Sequence, residues 1–107
     1  MTGNPGWTVA AEDVRAIHAY LTEHFAGADI HVLTEPTDPG QLLQVIDREG
    51  TRYTLKILRE ALDDLRSRRA PLDRFLVKQE IARRLRKAGR VVVARARGED
   101  MILEGSP

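Results

Sequence analysis

The succession of helical and strand periodicities along the chain predicts a single small α+β domain. Its expected architecture is an antiparallel sheet of three to five strands with two main helices on one face. Three observations carry that expectation. Val14, Ile17, Leu21 and Phe25 recur at helical spacing near the start. Tyr53, Leu55 and Ile57 alternate along one strand, and a second strand, Leu42–Asp47, precedes it across a Gly-containing turn, the pattern of a hairpin. Helical spacing then returns after Pro71, and Val91-Val92-Val93 opens a last β region. The element order is α-β-β-β-(short α)-α-β-β, which places helices against one side of an antiparallel sheet.

In the first helix Thr8 is positioned to cap the N-terminus, with Trp7 as a staple ahead of it. Glu12 and Asp13 stand in the first turn, where the helix dipole favours acids. Gly27 is its expected stop. Asp29–Thr34 reads as a short strand, and residues 35–40, Glu-Pro-Thr-Asp-Pro-Gly, as a loop dense in turn formers. The hairpin strands are Leu42–Asp47 and Arg52–Leu58. Their register decides whether Tyr53, Leu55 and Ile57 share a face with Leu43 and Val45 or with Leu42 and Ile46. Leu58, Leu62 and Leu65 mark a short helix. The second long helix is expected from Pro71 to about Ala88, ended by Gly89. Arg90–Arg97 reads as a strand, and Gly98-Glu99-Asp100 turns it into a last one at Met101–Leu103. The single domain covers residues 1–107, with 1–7 and 104–107 expected to be flexible ends.

With 107 residues, 42% apolar and 31% charged, the chain has the size and composition of one folded domain. No apolar run approaches the roughly 20 residues that span a bilayer, and the first residues lack the pattern of a secretory signal, so a cytoplasmic protein without a membrane partner is expected. The absence of Cys suits a reducing compartment and removes thiolate chemistry. Charge is sorted along the chain: −6 from Met1 to Leu65, +10 from Arg66 to Arg97 and −3 thereafter, for a total of +1. Such a field selects partners without naming them.

Tests for chemistry return no motif. His18 and His24 stand six apart, off the three- or four-residue spacing of a helical ligand pair. Asp63 and Asp64 are neighbours on a helix and point about 100° apart, on the polar side of Leu58, Leu62 and Leu65. Lys56 lies on the hairpin, but Thr54 stands where a metal-dependent nuclease would need an acid. No catalytic residue, cofactor or metal is therefore expected, and no residue points to a small-molecule ligand.

Two surfaces remain as candidates. On the second long helix Val77, Ile81, Leu85 and Ala88 form one stripe, and Leu72, Phe75 and Leu76 form another on roughly the opposite side. The second stripe needs a cover, and a protein partner or a second copy of the chain supplies it, so Leu72, Phe75 and Leu76 are the candidate protein interface. The rival is nucleic acid, duplex RNA or DNA, held by Arg66, Arg68 and Arg69 in the lead to that helix and by Arg83, Arg86 and Lys87 along it. Weighed against it is neutralisation of the basic block by the chain's own acids.

The α-β-β-β-α order over Thr8 to Ala88, with basic residues leading into the second helix, resembles a double-stranded RNA-binding domain, which implies recognition of A-form shape and phosphates. The match is topological. Arg66-Ser67-Arg68-Arg69-Ala70-Pro71 stands where that family has a Gly-Ser-Lys-Lys lead, an extra short helix precedes it, and two strands follow. With these departures membership is not claimed.

Overall fold

The structure, a computed structural model, describes residues 10–33, 40–98 and 101–105. The expected Trp7–Thr8 staple and cap, the loop before Gly40, Glu99 and Asp100 of the expected last turn and the flexible segment 1–7 fall outside the described residues. In chain order the elements are α1 (Ala11–His24), β1 (Asp29–Leu33), β2 (Gly40–Ile46), β3 (Arg52–Leu58), α2 (Arg59–Ser67), α3 (Leu72–Lys78), α4 (Ile81–Ala88), β4 (Arg90–Val93) and β5 (Ile102–Gly105).

The α+β class stands, with a five-stranded sheet in the order β1-β2-β3-β4-β5. The expected antiparallel sheet is in fact mixed, because β3 and β4 run parallel. A parallel pair requires a long crossover, and α2, α3 and α4 together provide it. At the β2–β3 turn Asp47 Oδ1 accepts from the N–H groups of Glu49 and Thr51, both at 2.9 Å, and Gly50 takes φ +84°. Register pairs Leu43 with Leu55 and Val45 with Tyr53. The hairpin's inner face is therefore Leu43, Val45, Tyr53, Leu55 and Ile57.

That face meets all the helices in one core. Ile17, Leu21, Leu43, Val45, Leu55, Ile57, Leu76, Ile81, Leu85, Val91 and Val93 have no exposed surface. Each buried aliphatic side chain contributes about 1.5–3 kcal/mol by leaving water.

The second long helix is two helices. Glu80 adopts the left-handed conformation at φ 52°, its N–H reaching Val77 O at 3.0 Å, and α4 restarts there on a new axis. A left-handed non-Gly residue costs about 1 kcal/mol or more. Glu80 gives α4 no side-chain cap. The Tyr20 hydroxyl of α1 replaces it, accepting from Ala82 N–H at 2.8 Å. Arg69 (φ 55°) does the same at the end of α2, where Ala70 N–H reaches Leu65 O and Arg69 N–H reaches Arg66 O, a Schellman closure with Arg in the usual Gly place. Two strand limits also differ from expectation. β4 ends at Val93, so Arg95 and Arg97 lie beyond it, and Glu104 and Gly105 belong to β5 instead of a loose end.

Candidate interaction surfaces

The helix break relocates the apolar candidates. Leu72, Phe75 and Leu76 are buried in the core. The expectation that they form an uncovered stripe is corrected: α3 turns them inward against the rest of the helical layer, and α4 buries Ile81 and Leu85 independently. Val77, expected in the core, is 62% exposed instead. It borders a groove of about 500 Å³ between α1 and α3, with Ala16, Ala19 and Tyr20 on the α1 side and Arg74 and Lys78 on the α3 side.

Most of the basic candidates are engaged inside the chain. Arg66, in the last turn of α2, donates to Asp13 Oδ2 at 2.9 Å. Arg68 lies 3.4 Å from Asp64 Oδ2 and donates to Ala96 O. Arg97 reaches Asp64 Oδ1 at 3.4 Å, so one carboxylate joins α2 to the β4–β5 connection. Arg83 is 3.5 Å from Glu80, with both side chains mostly exposed. Arg86 donates to His24 O and lies over the Phe25 ring, 4.5 Å from its centroid. Arg84 is held by Glu104 at 2.9 Å. Only Arg69 and Lys87 of the six candidates show no ionic or hydrogen-bonding partner among the described residues. The acidic and basic blocks thus meet within the fold, and no single helix face collects all six cations.

Among the described residues no helix packs on the sheet's other side. Cross-strand register aligns Leu33, Leu42, Lys56, Val92 and Leu103 in one row across all five strands. This row alternates with the core-facing row and so points away from the helices. Leu103 is 50% exposed and Leu33 39%, while Lys56 at the row's centre is 4% exposed. Arg52 and Arg90 are exposed on this same side, two residues apart in register through Thr54. At the edge, β1 is exposed at four of its five residues. Sequence reasoning missed this surface, although the signal was present: Leu42 and Ile46 make the second strand apolar on both faces.

The groups tested for chemistry are dispersed. His18 hydrogen-bonds Thr22 within α1, the His24 ring lies tilted against the Tyr20 ring with centroids 4.4 Å apart, and His31 is exposed on β1. Asp63 pairs with Arg59. Among the described residues no three His, Cys, Asp or Glu side chains are grouped to hold a metal ion, and no helix is long and apolar enough to cross a membrane. Burial pushes the Tyr20 hydroxyl above its ordinary pKa. Tyr53 is shifted the same way, first by desolvation and then by the Asp47 carboxylate 3.4 Å from its hydroxyl. The chain matches no known protein family, and no curated protein or solved structure matches it.

Proposed function

We propose that this chain acts by protein association without catalysis, using the helix-free face of its sheet. The observation that carries the reading is the row Leu33, Leu42, Val92 and Leu103, which leaves aliphatic surface partly exposed on four of the five strands, on either side of the buried Lys56. Clustered apolar surface of this kind marks contact sites on folded domains. The flanking Arg52 and Arg90 define the partner's chemistry: a protein presenting an aliphatic strip beside acidic residues. The cysteine-free composition suits a reducing compartment, and the cytoplasm is the location we propose.

A photo-crosslinking residue placed at Leu103 in cells that make the protein tests this. We expect a discrete protein adduct that is absent from a control at Arg83 on the helical side and is lost when Arg52→Glu and Arg90→Glu are combined. An adduct no stronger than the control, or one indifferent to the charge reversal, overturns the reading.

Duplex nucleic acid ranks second, supported by the unengaged Arg69 and Lys87. It requires binding that falls steeply with salt and weakens in the Arg69→Glu, Lys87→Glu double variant.

A further inference from the structure

The groove between α1 and α3 has features that the sheet-face reading does not use. Val77 stands 62% exposed at its α3 wall. Ala16 and Ala19 on the α1 wall end at Cβ and leave a depression beside it, floored by the buried Tyr20. An aliphatic knob therefore adjoins a hole suited to an aliphatic knob, and no described residue fills either.

The charges at the rim form the second observation. Elsewhere several acids and bases pair within the chain: Arg66 with Asp13, Arg68 and Arg97 with Asp64, and Arg84 with Glu104. At this groove they do not. Glu23 stands on α1, and Arg74 and Lys78 stand on α3, without ionic partners among the described residues. Asp73, also at the rim, is turned to its own helix, where its carboxylate accepts from Arg74 N–H at 2.9 Å.

We propose that the occupant of this groove is a second copy of the chain, docked about a two-fold axis. The axis lays α1 of each copy on α3 of the other. Val77 of one copy then enters the Ala16–Ala19 depression of its partner and receives that partner's Val77 in its own. Glu23 of each copy meets Lys78 and Arg74 of the other. An isologous contact requires a self-complementary surface, and the groove supplies both halves: knob with hole, and acid with base. The dimer leaves both helix-free sheet faces outward, so each assembly presents two copies of the surface described above. This inference is independent of the use made of that surface.

Sedimentation equilibrium on the full chain, over concentrations up to about 1 mM, tests it. We expect a reversible dimer whose association constant falls at least about tenfold in Val77→Glu. Because Val77 is exposed in the single chain, the thermal unfolding midpoint should stay unchanged when measured at a concentration low enough for the chain to be monomeric. Glu23→Lys alone and Lys78→Glu alone should each weaken the dimer comparably by facing like charges, and the Glu23→Lys, Lys78→Glu double variant should restore it. A chain that stays monomeric throughout, a dimer indifferent to Val77→Glu, or a double variant no better than the singles overturns the proposal. A dimer abolished by Leu103→Asp but not by Val77→Glu also overturns it, by moving self-association to the sheet face. Failure here leaves the Leu103 crosslinking result untouched, so the two readings fail separately.

Discussion

The two faces of the sheet are built from the same strands and do opposite things. Leu43, Leu55, Val91 and Val93 have no exposed surface, while Leu33 and Leu103 on the other side keep a third or more of theirs in water. In β4, Val91 and Val93 face the helices and are fully buried, while Val92 between them faces the other way and is partly exposed. A single residue's step along the strand separates stability from surface, so a substitution's effect is set by parity before residue type. The helical layer makes the difference, and it holds its place through tertiary closures such as Tyr20 on α4.

The sharpest way to break this contrast is to remove volume from each face. Ile57→Ala should cost about 3–4 kcal/mol of unfolding free energy, as large-to-small changes in a filled core do, whereas Leu103→Ala should stay within about 0.5 kcal/mol. Urea denaturation followed by circular dichroism measures both. Equal losses would mean that the outer row is packed as a core, and the proposed contact surface would go with it.

A smaller effect is expected from the closure of the helical layer. Tyr20→Phe keeps the ring but leaves Ala82 N–H without its acceptor, which should cost about 1 kcal/mol and speed amide exchange at the start of α4. Unchanged exchange at Ala82 would show that α4 is held by its packing alone.

Smaller again is the response to Glu80→Gly. In one continuous helix this change would cost about 1 kcal/mol; at a left-handed φ of 52° it should be neutral or mildly stabilising. Thermal unfolding decides between them.

The smallest effect is in alkali. Burial raises the Tyr20 hydroxyl above 10.0, and Tyr53 is raised in the same direction. Below that value both tyrosines are protonated in the folded and unfolded chain, and they add no pH dependence. Above it the unfolded chain ionises first, so stability should fall as the pH rises toward the folded values. Denaturation midpoints from pH 8 to 11 should be flat and then fall, with a shallower fall in Tyr20→Phe.

How much of this was legible follows from where the chain announces its turns. Gly27, Gly50 and Gly89 carry positive φ and mark turns visible in the sequence. Arg69 and Glu80 carry it too, but nothing about an Arg or a Glu signals a left-handed backbone, because the fold imposes that conformation. The unread break at Glu80 accounts for the main error at the candidate site. With one helix assumed, Leu72, Phe75 and Leu76 needed an outside cover; with two, they face the core and Val77 becomes the exposed residue. The hairpin register was readable to two alternatives, since alternation fixes which residues go together but not which face they take. The parallel β3–β4 pair was not readable, because it depends on how far the helices carry the chain back. The basic block's fate was a matter of tertiary proximity: Asp13 and Arg66 stand 53 positions apart and are joined by a hydrogen bond.

The parallel β3–β4 pair also sets an order of events in folding. β1, β2 and β3 succeed one another with short connections and can assemble from local contacts, whereas β4 reaches β3 only after residues 59–89 have folded back. Closing so long a segment makes this pairing a late step. Until it is made, β3 is an open edge with Leu55 and Ile57 uncovered, a template for another unfinished chain. The nascent protein's interval of greatest exposure to misassembly therefore runs from the synthesis of β3 until β4 seals its edge.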